Sequence, residues 1–163
     1  FDHLAIVIGI GLIAAFHRAR LVMPAAFVGG TVGGTLLMLA AVTLPLAEVV
    51  ITASVIVAGG FAMRGKVSDI RPAAALAAAA GLFHGWAYGE AVVGAETNPI
   101  VAYLVGFGFI QMAIAMAVAL FTARVWKALD AGAMKPRLAG AVVAGVGLTY
   151  MVEIVEPLIF SGM

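Results

Sequence analysis

Histidine and carboxylate side chains stand at a few points of an otherwise apolar chain, and their chemistry is that of metal ligands. Asp2 and His3 open the sequence, and His84 and Glu90 lie near its middle. Imidazole and carboxylate groups together form the ligand set of Ni²⁺, Co²⁺, Zn²⁺ or Cu²⁺. A carboxylate beside a histidine also suits a partner that fixes the imidazole tautomer. These residues are therefore candidate ligands of a divalent transition-metal ion, whose identity they do not specify.

The composition places these residues in a membrane protein. Hydrophobic residues make up 64% of the 163 residues and charged residues 10%, whereas soluble domains have about 45–50% and about 25%. The net charge of +1 leaves no basic face, so we expect no nucleic-acid partner. The lack of cysteine excludes disulfides, thiolate zinc sites and cysteine nucleophiles. The class that remains is an integral membrane protein, with the lipid bilayer as its surroundings.

Apolar segments between short basic stretches predict an all-α bundle of about six transmembrane helices in a single domain, 1–163. A span needs about 20 residues at a rise of about 1.5 Å each. The nine Lys and Arg fall in every second connection, which predicts cytoplasmic basic loops and two extracytoplasmic termini. The short first segment, without an initiator Met, leads us to expect signal-peptide removal and a bacterial inner-membrane location. The predicted helices cover roughly 1–17, 21–43, 46–63, 71–92, 98–125 and 136–160.

Helix rise brings the polar side chains to one level, in the predicted outer half of the bilayer. Counted from the basic end of the fourth helix, His84 lies about 20 Å up and Glu90 about 28 Å up. Because ionisable groups are costly inside a span, His84 is the strongest functional candidate. Carboxylates gathered at one level repel one another unless a proton or cation binds to them. The acidic residues at predicted outer ends are Asp2, Glu48, Glu90, Glu96, Glu153 and Glu156. Four residues are expected beside the site or on a path inward: Glu48, Tyr88, Gln111 and Glu153.

Structural interpretations compete at several positions. Asp2 and His3 could be a solvated helix start, since Asp is favoured in a first turn. Glu48 could simply cap the third helix, and Glu153 could be an interfacial side chain. The run 29–34 contains two GxxxG spacings, which predict a close-packing face on the second helix and, secondarily, a homo-oligomer interface.

Two motifs are similar to those of a known family. Residues 83–90 read FHGWAYGE and resemble the FHGxAHGxE signature of the HupE/UreJ family, hydrogenase and urease accessory membrane proteins. The opening FDHLA resembles the end of that family's first motif, HxxxxxDHLA, and Pro45–Glu48 with Ser54 resembles other recurring positions. The resemblance implies a nickel or cobalt permease and not an enzyme. The metal ligands it implies are Asp2, His3, His84 and Glu90.

The chain lacks histidines at positions where the family pattern has them. Tyr88 stands where the signature has its second histidine, and Gln111 and Ala115 lie where relatives carry another. A site with fewer imidazoles and more oxygens binds late transition metals less tightly. Two other function classes therefore stay open beside a permease. One is an intramembrane zinc-type hydrolase, and the other is an accessory subunit whose carboxylates share protons.

Overall fold

The protein is described by a computed structural model over residues 1–65, 69–94, 97–127 and 132–160, excluding the side chains of residues 97, 98 and 158. Glu96, expected among the outer carboxylates, lies outside these residues. Helices make up the fold, and the described residues contain no strand. A short 3-10 helix, Glu90–Val92, follows the fourth α-helix. The α-helices are α1 Asp2–Ala14, α2 Val22–Leu39, α3 Ala47–Arg64, α4 Ile70–Gly89, α5 Thr97–Arg124 and α6 Met134–Phe160.

The predicted all-helical class and the six helices are confirmed, and the helices differ in how well they suit a bilayer. By length and composition, four of them could cross a membrane: α2, α3, α5 and α6. The helix α1 is shorter, with 13 residues. The helix α4 is long enough but less apolar, because Arg71, Pro72 and His84 lie within it and lower its mean hydropathy. The single domain and the sidedness of the termini stay predictions.

The short helix α1 forms the centre of the bundle. Ten of its 13 residues are buried, and it contacts α2, α3, α5 and α6. A helix that is apolar on all sides gains most when it is surrounded by other helices. Around it, α2 packs mainly against α4, and α3 packs mainly against α6. The first turn of α1, which carries Asp2 and His3, is therefore held among its neighbours.

Prolines mark the helix ends largely as the sequence predicts. Pro24 and Pro72 lie in the first turns of α2 and α4, where a missing N–H leaves no hydrogen bond unmade. Asp69 caps α4 by accepting the backbone N–H of Arg71 at 2.9 Å. Pro157 lies inside α6, near its end, and the helix continues past it to Phe160.

Close packing of α2 against α4 confirms one of the two GxxxG spacings as a packing face. A Cβ atom added at Gly34 would overlap the carbonyl oxygen of Leu82, and one added at Gly85 would overlap that of Thr31. The Thr35 hydroxyl donates to the Gly85 carbonyl at 2.9 Å. Small residues let the two backbones approach, and this contact fixes the position of α4 next to His84.

The second spacing faces open space in the monomer. A Cβ atom added at Gly29 or Gly33 would meet no heavy atom within 4 Å. These two glycines lie one turn apart on the α2 surface, away from α4. The homo-oligomer expected through α2 stays a prediction, and this face is the part of α2 that remains free for it.

Candidate metal centre

Two buried imidazoles meet at the predicted outer end of the bundle. His3, in the first turn of α1, is 6% exposed, and His84, on α4, is 1% exposed. Their Nδ1 atoms lie 3.3 Å apart. The contact joins residues 81 positions apart in the sequence. Two of the four predicted metal ligands are therefore adjacent.

A hydroxyl on α3 lies against one nitrogen of the His84 ring. The Ser54 hydroxyl donates to the Ile51 carbonyl oxygen at 2.6 Å. A hydroxyl has one proton, so towards His84 Nε2, 3.0 Å away, Ser54 Oγ acts as the acceptor. In a neutral imidazole the other nitrogen is then bare, so His84 Nδ1 accepts a hydrogen bond from His3 Nδ1. The Nε2 atom of His3 is left as an acceptor, and it has no hydrogen-bond partner among the described residues.

Aromatic rings enclose the His3 imidazole. Phe107 of α5 stacks on it with ring centroids 5.1 Å apart, and Phe27 of α2 lies 5.7 Å away. Tyr88, expected beside the site, approaches edge-on at 4.5 Å. Phe107 and Tyr88 therefore both contact the site through His3. These rings give the imidazole pair an apolar environment, in which polar interactions are stronger than in water.

Three carboxylates share a cavity that begins beside the imidazole pair. The cavity has a volume of about 320 Å³ and is lined by Asp2, Glu48 and Glu153, together with Thr52 and Tyr150. Asp2 also accepts the backbone N–H of His3 at 2.7 Å. The structure thus brings together residues of α1, α3 and α6 that helix rise had placed at one level.

Glu90 and Gln111 are placed differently from the imidazole pair. Glu90 begins the 3-10 helix, is exposed, and its side chain makes no hydrogen bond or ion pair with the described residues. Gln111 is buried on α5, one turn from Phe107, and its Oε1 lies 3.2 Å from the Thr31 hydroxyl. Its Nε2 has no partner in the described part of the chain. Gln111 therefore lies deeper in the bundle than His3.

The ligand geometry is incomplete. Within the described ranges, no group of three or more His, Cys, Asp or Glu side chains is arranged to hold a metal ion. The imidazole pair supplies two nitrogens, and a third protein ligand would need a side chain to move. The predicted set of Asp2, His3, His84 and Glu90 stays a prediction.

Sequence reasoning did not give Ser54, Thr52 or Tyr150 a role at the site. Ser54 was noted only as a recurring family position. A serine inside an apolar helix is the one signal that could have singled it out. Nothing in the sequence spacing links position 54 of α3 to position 84 of α4, because that contact depends on how the two helices pack.

The comparison with known families identifies one family over most of the chain. The profile of the family described as HupE / UreJ protein matches residues 1–150. No curated protein and no solved structure matches the chain. The family is associated with nickel or cobalt uptake or with accessory functions, and it is not known as a family of enzymes. The chain is thus an integral membrane protein that belongs to the HupE/UreJ family.

Proposed function

We propose that this protein binds a divalent transition-metal ion, nickel or cobalt, and carries it across the bacterial inner membrane. The observation that carries the proposal is the 3.3 Å separation of the His3 and His84 Nδ1 atoms. With metal–nitrogen bonds of about 2.0–2.1 Å, two nitrogens on one ion lie about 2.8–3.4 Å apart for angles from a right angle to tetrahedral. The imidazole pair therefore has the spacing of two ligands of a single ion. Binding would require the Nδ1 proton of His3 to move to its unpaired Nε2 or to be released.

The scarcity of further ligands suits a cargo site. An ion held by two imidazoles completes its coordination with water, or with the Asp2 carboxylate after a local movement. Such a site binds less tightly than a closed structural one, and a transported ion has to leave again. Zinc and copper accept the same donors, so nickel and cobalt are preferred here because of the family.

The cavity of Asp2, Glu48 and Glu153 supports capture of a cation. Carboxylates that line a cleft raise the local concentration of cations. Asp2 lines the cavity and accepts a hydrogen bond from the His3 backbone. A cation attracted into the cavity therefore lies next to the imidazole pair. Gln111, which lies one turn deeper on α5 than Phe107, is proposed as a polar group on the path of the ion towards the cytoplasm.

The same cavity is the observation that favours an accessory role as the second candidate. Three carboxylates around one space can share protons instead of holding a metal ion. That function does not require the two imidazoles to bind a metal. Binding of metal by the purified protein therefore distinguishes the two proposals.

Metal binding at equilibrium tests the proposed function. The chain has three histidines, and His17 lies beyond α1, so His17→Ala is a matched control for His84→Ala. The proteins are purified without chelator and dialysed to equilibrium against a known concentration of Ni²⁺. The nickel in the protein chamber and in the protein-free chamber is then measured by inductively coupled plasma mass spectrometry. We expect about one equivalent in the wild type and in His17→Ala, and a loss in His84→Ala. Equal nickel in His84→Ala would contradict the imidazole site, and none in the wild type would favour the accessory role.

A further inference from the structure

We propose that Ser54 is a positioning residue of this centre, and that its hydroxyl fixes Nδ1 as the nitrogen that His84 offers to a divalent metal ion. The inference rests on the proposed function, since it concerns the same imidazole pair. It adds a residue on a third helix, α3, to a site formed by α1 and α4.

The argument begins with the single proton of the Ser54 hydroxyl. That proton is committed to the Ile51 carbonyl oxygen, 2.6 Å away and one turn earlier on α3. The lone pairs of Ser54 Oγ therefore face His84 Nε2 at 3.0 Å and favour the tautomer that carries its proton there. The bare Nδ1 of His84 is thereby turned towards His3.

The same hydrogen bond fixes the plane of the His84 ring. One edge of the ring is tied to α3 through Ser54, and the opposite edge faces His3 Nδ1 at 3.3 Å. Without the hydroxyl, the Ile51 carbonyl oxygen is the remaining acceptor beside this ring. The Nε2 proton is then held by one partner fewer, and a larger fraction of His84 carries its proton on Nδ1, where it points at the position of a shared ion. Partners that orient a metal-binding histidine in this way typically change metal affinity about 10–100-fold when they are removed.

The surroundings of Ser54 allow a substitution that keeps the hydroxyl. Ser54 is one of the residues that line an apolar groove of about 280 Å³, together with residues of α1, α3 and α4 such as Ile10, Val57 and Ala77. The groove has room for the additional methyl group of Ser54→Thr. Ser54→Ala removes only the hydroxyl. Thr122→Ala is the matched control, because Thr122 is a buried hydroxyl on α5 with no partner among the described residues.

The test measures Ni²⁺ affinity by isothermal titration calorimetry on the full chain in detergent micelles. We expect Ser54→Ala to bind Ni²⁺ about 10–100-fold more weakly than the wild type. Ser54→Thr should restore the affinity, and Thr122→Ala should leave it unchanged. Nitrogen-15 spectra of the metal-free protein, with its three histidines assigned by single substitution, should show the proton of His84 on Nε2 in the wild type.

The outcomes separate the inference from the proposed function. Wild-type affinity in Ser54→Ala would overturn the role of Ser54 and leave the metal site standing. A wild-type spectrum with the His84 proton on Nδ1 would overturn it as well, whether or not the alanine variant folds. No Ni²⁺ binding by the wild type would overturn the proposed function and this inference with it.

Discussion

Buried polar atoms without partners are the residue-scale feature that packing does not explain. In the described part of the chain, His3 Nε2 and Gln111 Nε2 are both buried and unpaired. Each such atom costs about 1–3 kcal/mol of stability. The Thr31 hydroxyl has a nearer acceptor in the Phe27 carbonyl, at 2.9 Å, so Gln111 adds little to the fold. We infer that Gln111 contributes to the path of the ion and not to the stability of the fold.

Replacement of Gln111 by Leu should separate stability from transport. We expect the free energy of unfolding to stay within about 1 kcal/mol of the wild type or to rise, because Thr31 keeps its bond to Phe27. Nickel binding should persist, while nickel uptake into proteoliposomes should slow. Met112→Leu, at the next position of α5, is the control. A clear loss of stability with normal uptake would show that Gln111 is structural.

The depth of a residue in the bundle could be predicted from the sequence wherever it depends only on the rise along one straight helix. His84 stood out as an imidazole in an apolar segment, and rise along the helices brought Asp2, Glu48 and Glu153 to a common level. Glu90 was counted to the same level but is exposed, because six residues at about 100° each place it about 120° around the helix axis from His84. Rise along a helix gives the level of a residue, and the helical face has to be counted separately.

At the scale of elements, the contact between α2 and α4 decides where His84 lies. Gly85, next to His84, is pressed against the Thr31 backbone, and Gly34 is pressed against Leu82. The sequence predicted a packing face on α2. It did not indicate which of the overlapping spacings would be used, since both look alike until α4 is placed.

Paired glycine substitutions on α2 test this contact. Gly34→Ala should lower the free energy of unfolding by about 1–3 kcal/mol, because its methyl group would overlap the Leu82 carbonyl. Gly33→Ala, which meets open space, should leave the free energy of unfolding unchanged or raise it by up to about 1 kcal/mol, because alanine is favoured over glycine inside a helix. Chemical denaturation in detergent measures both. We also expect weaker nickel binding only in Gly34→Ala, since the shift moves α4; equal effects of the two substitutions would contradict the packing.

At the scale of the whole molecule, polar groups gather at one end of an apolar bundle. The carboxylate cavity and the imidazole pair lie at the end where α1 and α3 begin, whereas the basic residues Arg64 and Arg124 end α3 and α5. The helical class followed from composition and segment length. The central place of α1 did not, because a helix that is apolar on all sides suits lipid and protein surroundings equally well by sequence.

Nickel uptake by proteoliposomes tests the central claim most directly. The purified wild-type, His84→Ala and His17→Ala proteins are reconstituted into liposomes that contain a nickel-sensitive dye. Ni²⁺ is then added to the external solution. We predict nickel entry with the wild type and with His17→Ala, and entry at the level of protein-free liposomes with His84→Ala. Uptake by correctly folded His84→Ala at the wild-type rate would contradict transport through the imidazole pair.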